Sequence, residues 1–76
     1  MEQHELDLIT KYSESDPDLR ELWEKHKEYE DQIEELESKS YLNPQEKQQL
    51  RDLKKMKLAG KTRMYNILEK YSNLEV

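Results

Sequence analysis

The sequence predicts an all-α fold: an antiparallel two-helix hairpin, coiled-coil-like, preceded by a short N-terminal helix. Three observations predict it. The chain is 41% charged and 33% hydrophobic, with no Phe, one Gly and two Pro in 76 residues. That composition fits long helices that each bury one apolar stripe better than it fits a thick globular core. Apolar residues recur at heptad spacing on two segments. Both prolines stand where a helix can begin, because a missing N–H costs nothing in the first turn.

The elements follow in order along a single helical domain. A short helix is expected over residues 4–13, where Leu6, Leu8, Ile9 and Tyr12 supply the apolar positions. In "SDPDL", Asp16 or Ser15 can cap, Pro17 takes the first helical position and Asp18 favours the positive helix end. This starts the first long helix, 17–39. The stretch 40–43 is the turn. In "LNPQEK", Asn43 caps, Pro44 is first and Glu46 is third, the capping-box spacing. The second long helix runs over 44–72. In the first, Leu19, His26 and Ile33 recur every seven residues, each followed three places on by Leu22, Tyr29 and Leu36. In the second, Leu50, Lys57, Met64 and Tyr71 share one position, and Leu53, Gly60, Ile67 and Leu74 the other. The short connection forces the two helices antiparallel.

A hairpin turning between residues 39 and 44 makes facing positions add to about 83. Ile33 then meets Leu50, Tyr29 lies beside Leu53, and Leu19 reaches Met64. On one flank Glu37 faces Lys47, Glu30 faces Lys54, and Trp23 faces Lys61 in a cation–π contact. The halves are oppositely charged: residues 1–39 hold 14 acids and 5 bases, and residues 40–76 hold 4 acids and 8 bases. Such halves suit each other as partners. The second long helix is the longer, and the N-terminal helix or another subunit is expected to cover its overhang at Ile67, Leu68, Tyr71 and Leu74.

The segment "LKKMKLAGKTRMY" raises a question of its own. It consists largely of helix formers and carries five bases, yet it holds the chain's one glycine, Gly60, at a helix cost of about 1 kcal/mol. The expected reason is packing: in this register Gly60 falls opposite Leu22 and Trp23, and a residue without Cβ makes room for the indole. A kink or a merely tolerated glycine is the alternative. The residues expected to build the hairpin are thus Leu22, Trp23, His26, Tyr29, Ile33, Leu50, Leu53, Gly60 and Met64.

Lys47, Arg51, Lys54, Lys57 and Lys61 form one basic stripe roughly 120° wide at helical spacing, with Leu58 and Tyr65 in the same sector. Interleaved cations and aromatics can bind nucleic acid. Against that stand the net charge of −5, which repels phosphate, and the use of these lysines within the hairpin. Nucleic-acid binding is therefore the alternative function rather than the first.

Metal binding fares worse. A helical di-metal site wants Glu-x-x-His, and the residue three before His26 is Trp23. His26 reads instead as a seam histidine hydrogen-bonding to Glu30 or to a side chain of the partner helix, with pH sensitivity left open. No cofactor is expected. There is no cysteine, no glycine-rich loop and no carboxylate pair held in a pocket, so no enzyme is expected either. No apolar run of about 18 residues could span a membrane. The acidic N-terminal residues lack a hydrophobic core of the secretory kind, so the cytoplasm is the expected location.

"LRELWEKHKEYEDQIEELE" followed by "LKKMKLAGKTRMYNIL" resembles the YdcH-like family of small bacterial proteins of unknown function. Leu22, His26, Asp31, Ile33, Leu36 and Glu37 match its first helical motif. Leu53, Lys54, Lys55, Lys57 and Leu58 match its second. The likeness covers residues 4–72. It departs where the family usually continues R-L-K-D-E-I, since Ala59, Gly60, Lys61, Thr62, Arg63 and Met64 stand there. The resemblance implies a helical hairpin and no established activity. The expected function is accordingly that of a non-enzymatic hairpin acting through protein contacts or self-association, with Leu58, Tyr65, Leu68, Lys54 and Lys61 as its partner surface.

Overall fold

The side chain of Asp16 accepts the Leu19 N–H at 3.0 Å, just ahead of Pro17, and this cap starts a helix. Asn43 does the same for Glu46 at 2.8 Å, while the Glu46 carboxylate takes the Asn43 N–H at 3.1 Å, closing a capping box. A computed structural model describes residues 1–75 as three helices: α1 (Gln3–Tyr12), α2 (Pro17–Glu37) and α3 (Pro44–Leu74). No strand is present among the described residues.

The helix ends differ by one or two residues from the expected ones. α1 starts at Gln3 because the Glu5 carboxylate accepts the Glu2 N–H at 3.0 Å. α2 stops at Glu37 because Ser38 donates its hydroxyl to the Glu35 carbonyl at 2.7 Å, and the Lys39 N–H turns back to Leu36. Those bonds satisfy carbonyls that a further helical turn would have used. α3 runs on to Leu74, its last carbonyls taken by the Glu75 N–H. At 1.5 Å per residue its 31 residues span about 46 Å, nearly the whole 48 Å length of the molecule.

The main packing is between α2 and α3. It forms two apolar clusters. One joins Ile33 and Leu36 to Leu53, with Tyr29, Leu42 and Leu50 against them. The other joins Leu8 and Ile9 of α1 to Leu19, Met64 and Leu68, with Leu22, Trp23, Ile67 and Tyr71 around them. Leu19 and Met64 are fully buried. α1 thus covers the overhang of α3 at Leu68 and Tyr71, while Leu74, also expected under it, stays 75% exposed. Tyr12 stacks on Tyr71 at 3.9 Å between ring centroids. The Tyr71 hydroxyl donates to Asp16 at 2.5 Å, and Lys11 pairs with Glu75 at 2.9 Å.

The flank pairs differ from those expected. Lys54 pairs with Glu37 at 3.4 Å and Lys57 with Glu30 at 3.7 Å, so Glu30 meets Lys57 instead of Lys54, and Glu37 meets Lys54 instead of Lys47. Helical side chains lean toward their own N-terminus. On α2 that lean points away from the connection, and on α3 toward it. Side-chain tips therefore meet between residues numbered higher on both helices than backbone levels alone imply. Long side chains exaggerate the offset.

Candidate interaction surface

Between the two apolar clusters the seam turns polar. His26 is 5% exposed and sits where the heptads put Leu19 and Ile33 on either side. Its Nε2 donates to Glu30 at 3.0 Å, and the same carboxylate oxygen faces Lys57. A donating Nε2 leaves the neutral ring with a lone pair on Nδ1, and that atom is buried without a hydrogen-bond partner among the described residues. Burial pushes the His26 pKa below the usual histidine value, with Lys57 and Lys61 adding to the shift and Glu30 opposing it. Trp23 stacks against the imidazole at 5.6 Å.

The two flanks of this seam carry different surfaces. On α3, Lys61, Tyr65 and Leu68 lie to one side of Met64, and Met56, Gly60, Arg63 and Ile67 to the other, at 100° per residue. The first flank is the one α1 reaches, which buries Leu68 at 3% exposure. Leu68 therefore leaves the expected partner surface and belongs to the core. Leu58 stays 66% exposed and Tyr65 37%. Lys61 lies over the Tyr65 ring at 5.8 Å, and Lys27, not Lys61, lies over Trp23 at 5.6 Å. Both contacts join residues four apart on one helix, where neighbouring side chains are already within reach.

Gly60 does not make room for Trp23. A Cβ built at Gly60 meets nothing within 4 Å, and its φ is not positive. The indole packs on the α1 side of the seam, while Gly60 faces an open groove of about 700 Å³ on the other side. The groove has an apolar floor of Leu22, Ile67 and the Met56 side chain, with the His26 ring in its wall. Asp18, Glu21 and Lys25 rim it from α2, and Arg63 rims it from α3. Among the described residues none of these four makes an ion pair within 4 Å. This groove was not among the expected sites. The signal was present, since Leu22, Lys25 and Tyr29 fall on one flank of α2 and Gly60, Arg63 and Ile67 on the matching flank of α3.

Among the described residues no helix is long and apolar enough to cross a membrane. Among the described residues no group of three His, Asp or Glu is placed to hold a metal ion. Compared with known proteins, residues 19–68 match the family model described as Protein of unknown function (DUF465). The match takes in nearly all of α2, the connection and α3 to Leu68, and leaves out α1. No curated protein and no solved structure matches the chain.

Proposed function

The chain belongs to the YdcH-like family of small bacterial proteins of unknown function, and we propose that it is a non-enzymatic, coiled-coil-like helical hairpin that acts through protein contacts or self-association. The observation that carries this reading is the uncovered flank of the seam. There Leu22, Met56 and Ile67 line an open groove whose rim charges Asp18, Glu21, Lys25 and Arg63 make no ion pair among the described residues, on a helix pair whose other flank is covered by α1. Exposed Leu58 and Tyr65 offer a second apolar contact on the outer face of α3. The cytoplasm is the proposed location, in keeping with a chain that has no cysteine and needs no disulfide.

The competing reading is nucleic-acid binding by the basic stripe. Of its lysines, Lys54 and Lys57 already face Glu37 and Glu30, and Lys61 lies on Tyr65. Each of the two ion pairs offsets a cation that phosphate would otherwise recruit. Photo-crosslinking tests the proposal. A photoreactive residue placed at Ala59 or at Leu58 in the full chain should yield protein adducts in native lysate, including adducts to the chain itself. Adducts to nucleic acid alone, lost as salt is raised, would overturn the protein-contact reading in favour of the other.

A further inference from the structure

The groove carries its charges in a particular order. On the α2 rim Asp18 and Glu21 lie toward the helix start. Directly across the groove, at nearly the same level along the molecule, lies Arg63 on the α3 rim. At this level acid stands on the α2 wall and base on the α3 wall, with no ion pair bridging them within 4 Å among the described residues, while Lys25 lies further along the α2 wall. A surface with acid on its left wall and base on its right wall at one level matches its own copy at that level when the two face each other about a two-fold axis running along the groove. That rotation lays the α2 wall of one copy over the α3 wall of the other at unchanged level, so every acid–base match occurs twice.

We propose that a second copy of this chain occupies the groove, with Asp18 and Glu21 of each copy set against Arg63 of the other. This rests on the reading that the chain works through protein contacts, and names the partner. The backbone of the molecule extends 48 by 19 Å along its two longest axes, so a whole face is of the order of the ~800 Å² that each partner contributes to a standard interface. Gly60 lies in the groove floor with open space where a Cβ would be, so nothing projects there against an approaching helix. The His26 ring lies in the wall that the copy covers, and its buried Nδ1 has no hydrogen-bond partner among the described residues.

The experiment is sedimentation velocity of the full chain over about 10 µM to 1 mM, a range that spans weak homodimers. Mass should rise from monomer to dimer with concentration. Glu21→Arg and Arg63→Glu each place like charges across the proposed contact, and each should weaken dimerisation at least about tenfold. Mixing the two variants in equal amounts should restore it, because in the mixed dimer both contacts regain opposite charges. Circular dichroism of each variant alone verifies that the helices are intact. A chain that stays monomeric throughout, or a mixture that fails to recover, overturns the proposal. The crosslinking experiment separates this from the broader reading. A monomer that still forms adducts to other proteins from Ala59 rejects the second copy as occupant and keeps the protein-contact function. A monomer with no protein adducts rejects both.

Discussion

Replacing Gly60 by alanine sets helix propensity against packing, and the structure decides which wins. Gly60 is well inside the 31-residue α3, so the substitution recovers about 0.8–1.0 kcal/mol of intrinsic helix preference. A packing penalty of about 1–3 kcal/mol would outweigh that if the methyl were driven into a filled site. Here the methyl meets no atom within 4 Å, and the backbone has no positive φ to strain. The expected net effect is a stabilisation of about 1 kcal/mol, or about 4–8 °C in melting temperature for a chain of this size. Trp23 lies on the opposite flank, so Trp23→Ala and Gly60→Ala should add to within about 0.5 kcal/mol. Urea melts of the parent, both single variants and the double variant measure all of this. They are run at several chain concentrations, so that any contribution from association is separated from the stability of the single chain. A Gly60→Ala chain that is less stable at every concentration, or that couples strongly to Trp23, would refute the reasoning and restore the indole as the reason for the glycine.

Three further expectations concern the single chain. The folded His26 pKa lies below its unfolded value, so the unfolded state binds more protons as pH falls through about 6.5. Stability should therefore drop from there downward until the folded pKa is passed. His26→Leu, which also removes the unpartnered Nδ1, should flatten that dependence in melts at pH 5 to 8. A slope retained in His26→Leu would place its origin elsewhere. Asp16 holds both the Leu19 N–H and the Tyr71 hydroxyl. Asp16→Ala should cost about 1–3 kcal/mol, and Tyr71→Phe, which keeps the cap, clearly less; equal losses in thermal melts would contradict a separate capping role. Ile9 is 2% exposed against Met64 and Leu68, so Ile9→Ala should cost about 2–4 kcal/mol. An unchanged melting temperature would mean that α1 does not cover the α3 overhang.

The parts of this fold that were legible in the sequence are those set by local chemistry or by strict period. Pro17 and Pro44 with their Asp and Asn caps act within one turn, and the heptads place Leu19, Ile33, Leu53 and Met64 on the seam whatever lies around them. What failed was the finer placement across the seam. Glu30 meets Lys57 because both side chains lean along their helices, a displacement that residue numbering ignores. Leu68 reads in the sequence both as overhang for the N-terminal helix to cover and as partner surface, and the docking of α1, which no periodicity within α3 encodes, makes it core. Trp23 and Gly60 are level with one another yet on opposite flanks, so agreement in level was mistaken for contact. The groove was missed for the same reason, since its residues gain meaning only when the two flanks are told apart.

The division of the apolar core by the His26–Glu30–Lys57 layer has a consequence for how the chain reaches its folded form. Near the connection, Ile33 and Leu53 are 20 residues apart in sequence. At the far end, Leu8 and Leu68 are 60 apart. Closing the longer loop costs about 1 kcal/mol more in chain entropy, and the polar layer gives no continuous apolar path from one cluster to the other. The cluster beside the connection should therefore close first and exchange its amide hydrogens last. α1 then works as a clasp: it seats only after α2 and α3 have presented Leu19 and Met64 together, and it is the first piece to let go. In such a molecule the open state that proteases meet is an intact helix pair with its N-terminal arm released, well before the chain as a whole comes apart.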